Sequence, residues 1–466
     1  MDDERDFYIG SEEYHAILEK CERMLESKVE TYFDVFEFVE ILDSYIDLGK
    51  LNKAFTLVNI AHKQHPNNTE IEYRKARIHV ERNDADAALE ILKKLIKIEH
   101  GNAEYHTAMG VAYTIKNDFV SAVKHFTIAN ELDPEEEEDN LYNMGVTFIN
   151  CNQYDLALQY LETAHKKFPQ NILVIYDLAY CYERLLKFEE SIELYKTYID
   201  LDPYSEHAWF NLALIYLRVD KMEEAIQAFD YALAVNDSFA TAYFNKANCL
   251  TSIDKYEEAI DSYLELLKLE PENVVGLLCL AECYEKINDF ENAYNYFHKV
   301  TDLSPEYSEG WYGLALISFF DGDIIQAKTL FEKAIELDET NDKYWISYGI
   351  LLKEINLIQE AINSFKKAIK LNNTEYEAWL QYSQIEYDLN NVNVAKKILL
   401  QALKTAKHAS IYYTLAAMHA NEKDIVKALE YFKIAYKEEP ELSSYFFDMC
   451  HLPQKTLEQF HSIIFL

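Results

Sequence analysis

Small and bulky apolar residues recur along this chain with a period of 34. In that register the sequence from Val35 to Leu442 falls into twelve segments, beginning at Val35, Thr69, Ala103, Glu138, Ile172, Glu206, Ala240, Val274, Ser308, Asp342, Tyr376 and Ala409. One extra residue precedes Glu138, and one is missing before Ala409. Position 8 of the segment is Gly, Ala or Ser everywhere except Leu42, and position 20 is Ala everywhere except Ser191. Position 24 is apolar throughout, from Val58 through Phe126, Phe229 and Phe331 to Phe432. Small residues at two fixed points let a pair of antiparallel helices approach closely, and the bulky residue at 24 fills the space beside the crossing. Proline recurs at position 32 (Pro66, Pro134, Pro169, Pro203, Pro271, Pro305 and Pro440), where its ring stops the second helix. Trp209, Trp311, Trp345 and Trp379 share a phase of their own at position 4. The pattern predicts two helices of about 14 residues per segment, each marginal alone, so every hairpin must bury its apolar face on its neighbours.

Segments with an aromatic at 4, a small residue at 8, Ala at 20, Phe or Tyr at 24, Ala at 27 and Pro at 32 resemble tetratricopeptide repeats. The segment from Ala103 carries Gly110, Tyr113, Ala122, Phe126, Ala129 and Pro134 at matching places. The resemblance, to a long array of the bacterial type, implies an all-α fold: a right-handed superhelical solenoid of antiparallel helix pairs. Twenty-four helices stacked at roughly 9 Å would trace a path of about 200 Å. The expected organisation is an N-terminal segment, 1–34, with a lone capping helix from Ser11 to about Lys28, then twelve repeats over 35–442, then a C-terminal capping helix or tail, 443–466. In the first helix Ala16 stands where the repeat places its alanine, and in the tail Leu457, Phe460, Ile464 and Leu466 fall at helical spacing. The tail is expected to cover the last repeat, with partner docking or dimerisation as the alternative.

Charge narrows the function. With 81 acidic against 44 basic residues the formal charge is −37, which repels phosphate backbones and argues against a nucleic-acid partner. Hydrophobic residues make up 49%, including 36 Tyr and 25 Phe, too much buriable surface for a disordered acidic chain. Seven scattered cysteines without a C-x-x-C pair read as a reduced compartment. No secretory leader is evident and no apolar run approaches a membrane span of about 18 residues, so a cytoplasmic protein without a membrane partner is expected. No phosphate-cradling loop or nucleophile elbow occurs, which points away from an enzyme and implies no cofactor. His62 and His65 sit three apart on a helix, but two ligands without a third make no metal site. Cys283 shares position 10 with Cys181 and Cys249, so it and nearby Cys279 read as packing residues. The acidic run Glu135 to Asp139 reads as a solvated turn.

In this family, positions 2, 5, 6, 9, 12 and 13 of the first helix line the concave face. Here position 5 reads Tyr142, Tyr176, Phe210, Phe244, Leu278 and Tyr312, position 6 reads Asn143, Asp177, Asn211 and Asn245, and position 9 supplies Tyr180 and Asn248. An amide both donates and accepts, so a row of them can hold an extended peptide while the aromatics beside it supply contact area. The row resembles the asparagine ladder in the repeat arrays of O-linked N-acetylglucosamine transferases. The same residues are common in idealised repeats, so family habit reads equally well. The lining from His207 to Ser252 contains no acid, as suits a surface meant to be covered. The family's carboxylate clamp for chaperone tails is absent, and Arg74 with Arg77 form one small cationic spot. A non-enzymatic scaffold follows, binding an extended peptide or helix of a partner protein in its concave groove. The alternative is an assembly module that oligomerises through its ends, convex face or apolar tail. The sequence names no partner and leaves the oligomeric state open.

Overall fold

The computed structural model describes residues 12–27, 31–134, 137–450 and 460. Among these the regular elements are all helices. The chain divides into two compact units, Met1–Asp237 and Ser238–Leu466, each carrying six repeats. In the first unit the hairpins are Val35–Asp47 with Leu51–Gln64, Thr69–Glu81 with Ala85–Ile98, Ala103–Ile115 with Phe119–Leu132, Glu137–Asn150 with Tyr154–Lys167, Ile172–Arg184 with Phe188–Leu201, and Glu206–Arg218 with Met222–Val235. In the second they are Ala240–Ser252 with Tyr256–Leu269, Val274–Lys286 with Phe290–Leu303, Ser308–Phe320 with Ile324–Leu337, Asp342–Glu354 with Ile358–Leu371, Tyr376–Asp388 with Val392–Ala402, and Ala409–Asn421 with Ile425–Glu438. First helices thus begin where the 34-residue register places them, Glu137 alone being one residue early. Within each unit the substantial contacts join helices one or two places apart along the chain.

Local chemistry sets each boundary. Asn68, Asn102, Asn171, Ser205, Asn273 and Asn341 precede first helices, and their side chains accept from amides of the opening turn. Between the two helices of every repeat, position 15 holds a left-handed residue: Gly49, Asn83, Asn117, Asn152, Leu186, Asp220, Asp254, Asn288, Gly322, Asn356, Asn390 and Lys423. Gly, Asn and Asp tolerate that conformation at little cost. At the crossing, a Cβ on Gly110 would stand 2.4 Å from Phe126, and one on Gly145 would stand 2.5 Å from Leu161. The small residue at 8 is therefore the seat of the bulky residue at 24. Each tryptophan at position 4 donates its indole N–H to a carbonyl six residues back, Trp209 to Pro203 at 3.1 Å and Trp311 to Pro305 at 2.8 Å, which ties the inter-repeat turn to the next helix.

The two length irregularities are absorbed differently. The extra residue lengthens a first helix, Glu137–Asn150, to 14 residues where the other first helices have 13. The missing one shortens a second helix, Val392–Ala402, to 11 where the others have 14. Of the acidic run, Glu135 and Glu136 lie outside the described residues. Glu137 and Glu138 open a helix instead of standing free: Glu137 pairs with Lys167 at 2.5 Å and Glu138 accepts from Asn171 at 2.8 Å.

At the start of the chain, helix Glu12–Ser27 buries Cys21 and Met24 in a cluster with Phe33 and Phe38. Ala16, at the register position of the repeat's alanine, is exposed. After the twelfth repeat come the 3₁₀ turn Pro440–Leu442 and helix Ser443–Met449. Phe460 is fully buried, its ring 5.3 Å from that of Phe432 and 4.7 Å from that of Phe446. Leu457, Ile464 and Leu466 lie outside the described residues. Among the described residues no helix is long and apolar enough to cross a membrane.

Candidate functional site

The aromatic and polar residues singled out on the first helices are held by one recurring bond. A phenol at position 5 bonds the polar side chain at position 6 of the next repeat. Tyr142 bonds Asp177, the Asn211 amide donates to the Tyr176 hydroxyl at 2.8 Å, and the Tyr312 and Ser347 hydroxyls are hydrogen-bonded at 2.9 Å. Asn211 also reaches the Tyr195 hydroxyl at 3.4 Å, and Tyr176 meets the Tyr195 ring edge-on at 5.8 Å. Part of the expected ladder is therefore spent on stacking the repeats.

The two units hold the remaining residues separately. In the first, Asn143 is exposed, Phe210 packs on Phe229 at 5.6 Å, and Tyr180 meets Tyr154 edge-on at 6.1 Å. In the second, the Asn245 amide turns back to the Thr241 carbonyl at 2.8 Å, and Asn248 accepts from the Tyr263 hydroxyl at 2.5 Å. Phe244 lies 6.2 Å from the Tyr263 ring, and Tyr312 stacks on Tyr344 at 4.6 Å. The acid-free lining positions between His207 and Ser252 fall on both sides of the boundary between the units, so each unit carries only part of them.

Burial governs the titration of these faces. It raises the Asp177 carboxyl above its ordinary value, against the opposing bond from Tyr142, and pushes the Tyr142 phenol up to about 12. Burial likewise raises Glu183 in the first unit and Glu282 and Glu285 in the second. The cysteines are free thiols, and burial drives Cys181 up to about 12 and Cys249 and Cys279 to about 11, so they stay protonated and act as packing groups. His62 pairs with Glu72 while His65 bonds the Phe33 carbonyl at 2.8 Å, so the two imidazoles serve different partners. The expected cationic spot is corrected: Arg74 and Arg77 both bind the buried Asp43 carboxylate, at 2.9 and 2.8 Å, and Arg77 also lies 3.6 Å from Asp47, so two carboxylates face the two guanidiniums.

A further feature of the lining positions lies outside the sequence expectations. Repeats two to four of the first unit enclose a hollow of about 640 Å³, lined by Tyr73, Arg77, Thr107, Val111, Asn143 and Asn150 among others. Glu81 is the one carboxylate on its wall, and Arg77 is held by Asp43. Of the residues expected to bind, only Asn143 lies on it. Its signal is present at position 5: Thr107 stands in the third repeat where Tyr73 precedes it and Tyr142 follows it. The missing ring leaves the space.

Stacked helix hairpins with a lined face define a helical repeat protein of the scaffold class. The chain belongs to the tetratricopeptide repeat family, whose models match residues 45–111 and 151–203, 207–274, and 279–307, 308–341 and 342–375. Curated relatives include transcription factor tau subunit sfc4 of Schizosaccharomyces pombe, 26% identical over 24% of this chain and 12% of that protein. The uncharacterized protein ycf37 of Guillardia theta is 27% identical over 26% of this chain and 70% of its own length. The repeat-containing protein YpiA of Bacillus subtilis is 25% identical over 34% of this chain and 38% of its own. The chain thus spans about an eighth of the first of these relatives and well under half of the third. Similar solved structures include MamA (22% identity, TM-score 0.36, covering 38% of this chain and 96% of that one) and yeast Tom70 (16%, 0.37, 88% and 96%). Another is YrrB, described as a tetratricopeptide repeat protein with an unusual peptide-binding site (21%, 0.35, 40% and 96%).

Proposed function

We propose that this protein is a non-enzymatic scaffold that seats an extended segment of a partner protein on the first-helix face of its first unit, over repeats two to six. Tetratricopeptide repeats generally serve protein interaction, and the observation that supports this location is the hollow beside Thr107. In a chain of charge −37 its wall carries one carboxylate, Glu81, so a ligand can cover it without stranding buried acids. Asn143 is exposed there and free to bond a peptide backbone, whereas Asn211 is occupied by Tyr176. Val111 and the Thr107 methyl supply apolar contact.

A photoreactive side chain at Asn143 or Thr107 should cross-link a partner in native extract, and one at the exposed Thr163 or Thr197 of the second helices should not. Asn143→Arg with Val111→Arg should reduce capture by about tenfold or more, since a buried unpaired guanidinium costs several kcal/mol. Capture that survives both changes, and is lost on altering the second-helix face, overturns the reading.

A further inference from the structure

Away from the first-helix lining, the second unit carries a cleft of about 630 Å³ built by the tenth and eleventh repeats. Lys370, Lys397 and Lys404 converge on it, beside Trp379 and Leu400. All three lysines are exposed, and none is paired with a carboxylate among the described residues. Their neighbours behave otherwise: Lys396 is paired with Glu422, and Lys367 lies 3.4 Å from Glu339. The surrounding sequence is equally unusual for this chain, since residues 389–421 contain no Asp or Glu although the whole carries 81.

The cleft also coincides with the array's irregular helix. Val392–Ala402 ends after 11 residues, and the chain leaves the helical path through Leu403. The Thr405 hydroxyl then donates to the Asn373 carbonyl at 2.7 Å, the same oxygen that takes the Trp379 indole N–H at 3.1 Å. This bond draws the shortened turn against the preceding repeat and brings Lys404 beside Lys370. Trp379 is only 5% exposed and forms the fixed wall, while Leu400 leaves 45% of its surface in water.

We propose that this cleft binds an acidic linear segment of a partner protein, with carboxylates on Lys370, Lys397 and Lys404 and an apolar side chain against Leu400 and Trp379. A long polyanion such as nucleic acid would meet the field of the whole −37 chain. A short segment senses chiefly charges within a Debye length of about 8–10 Å, and the charged side chains that line this cleft are the three lysines. Three lysines without partners and an apolar wall complement such a segment in both charge and surface. The surface is separate from the first-helix hollow, so the two readings stand or fall independently.

The test uses the full chain and a fluorescein-labelled peptide, Glu-Glu-Leu-Glu-Glu-Phe-Glu-Glu, followed by anisotropy at physiological salt. Lys370→Glu, Lys397→Glu and Lys404→Glu combined should weaken binding by about tenfold or more. The matched control is Lys63→Glu, Lys97→Glu and Lys166→Glu, three exposed lysines at position 29 of other repeats, and it should change binding by less than about twofold. Leu400→Asp alone should also weaken binding, and the peptide with Gln for every Glu should bind at least about tenfold less well. Equal losses from both triple reversals would mean diffuse attraction and overturn the site. So would undiminished binding of the Gln peptide, complete displacement by millimolar inorganic phosphate, or tighter binding of a short single-stranded oligonucleotide.

Discussion

Leu186 holds a φ of +60° and leaves 73% of its surface in water. Ten of the twelve repeats put Gly, Asn or Asp at this point, and Leu186 and Lys423 are the exceptions. A side chain branching beyond Cβ gains nothing there in packing and keeps the steric cost of the left-handed region, roughly 1 kcal/mol. Leu186→Asn should therefore raise stability by about 1 kcal/mol, seen as slower hydrogen exchange in Ile172–Leu201 and a higher denaturant midpoint. An unchanged or lower midpoint would show that Leu186 makes a stabilising contact. The turn is legible in the sequence itself, because Asn, Asp and Gly recur in one phase of the 34-residue register. Its phase is fainter than the apolar ones, since three residue types share it and two repeats break it, and polar residues of the same kinds are scattered over the exposed faces.

Between elements, the bond from position 5 to position 6 of the next repeat decides what the groove residues can do. Tyr176→Phe and Asn211→Ala should each destabilise the fifth and sixth repeats by about 1 kcal/mol, and a double-mutant cycle should return a coupling of similar size. Additive losses would mean that the 2.8 Å contact contributes nothing. Asn211 marks where sequence reasoning ends. The register places it on the first helix, since Pro, Trp and Ala each hold their own phase, and the helix starts follow to within a residue. An amide destined for a ligand and one destined for a tyrosine 35 residues earlier, however, are the same letters. The pairs Tyr142 with Asp177, Tyr176 with Asn211 and Tyr312 with Ser347 all share that separation, so the clue lies in the pair and not in either residue. Nothing in composition marks the division at Asp237, and the lysine cleft depends on a helix end that the missing residue before Ala409 foretells only as a change of length.

For the molecule as a whole, burial raises the carboxyls of Asp177, Glu183, Glu282, Glu285 and Glu377 above their ordinary values. A carboxyl with a folded-state pKa above its unfolded one penalises the native state when ionised. The penalty is complete above the folded value and is relieved as pH falls toward the unfolded one. Loss of negative charge from a chain at −37 acts in the same direction. His106 and His125 oppose it, because burial lowers both, so protonating them costs native stability below their ordinary value. The melting temperature should rise by a few degrees from pH 8 to about pH 5.5 and fall again below. A monotonic fall across that range would mean that the histidines outweigh the acids. Neighbour-only packing has a mechanical side as well. Among the described residues the substantial helix contacts join helices one or two places apart, so no single clasp must break first. Drawn out by its ends, the chain should lengthen in steps, each freed repeat of 34 residues adding at most about 12 nm of slack at roughly 3.6 Å per residue, so that the protein acts as an extensible tether.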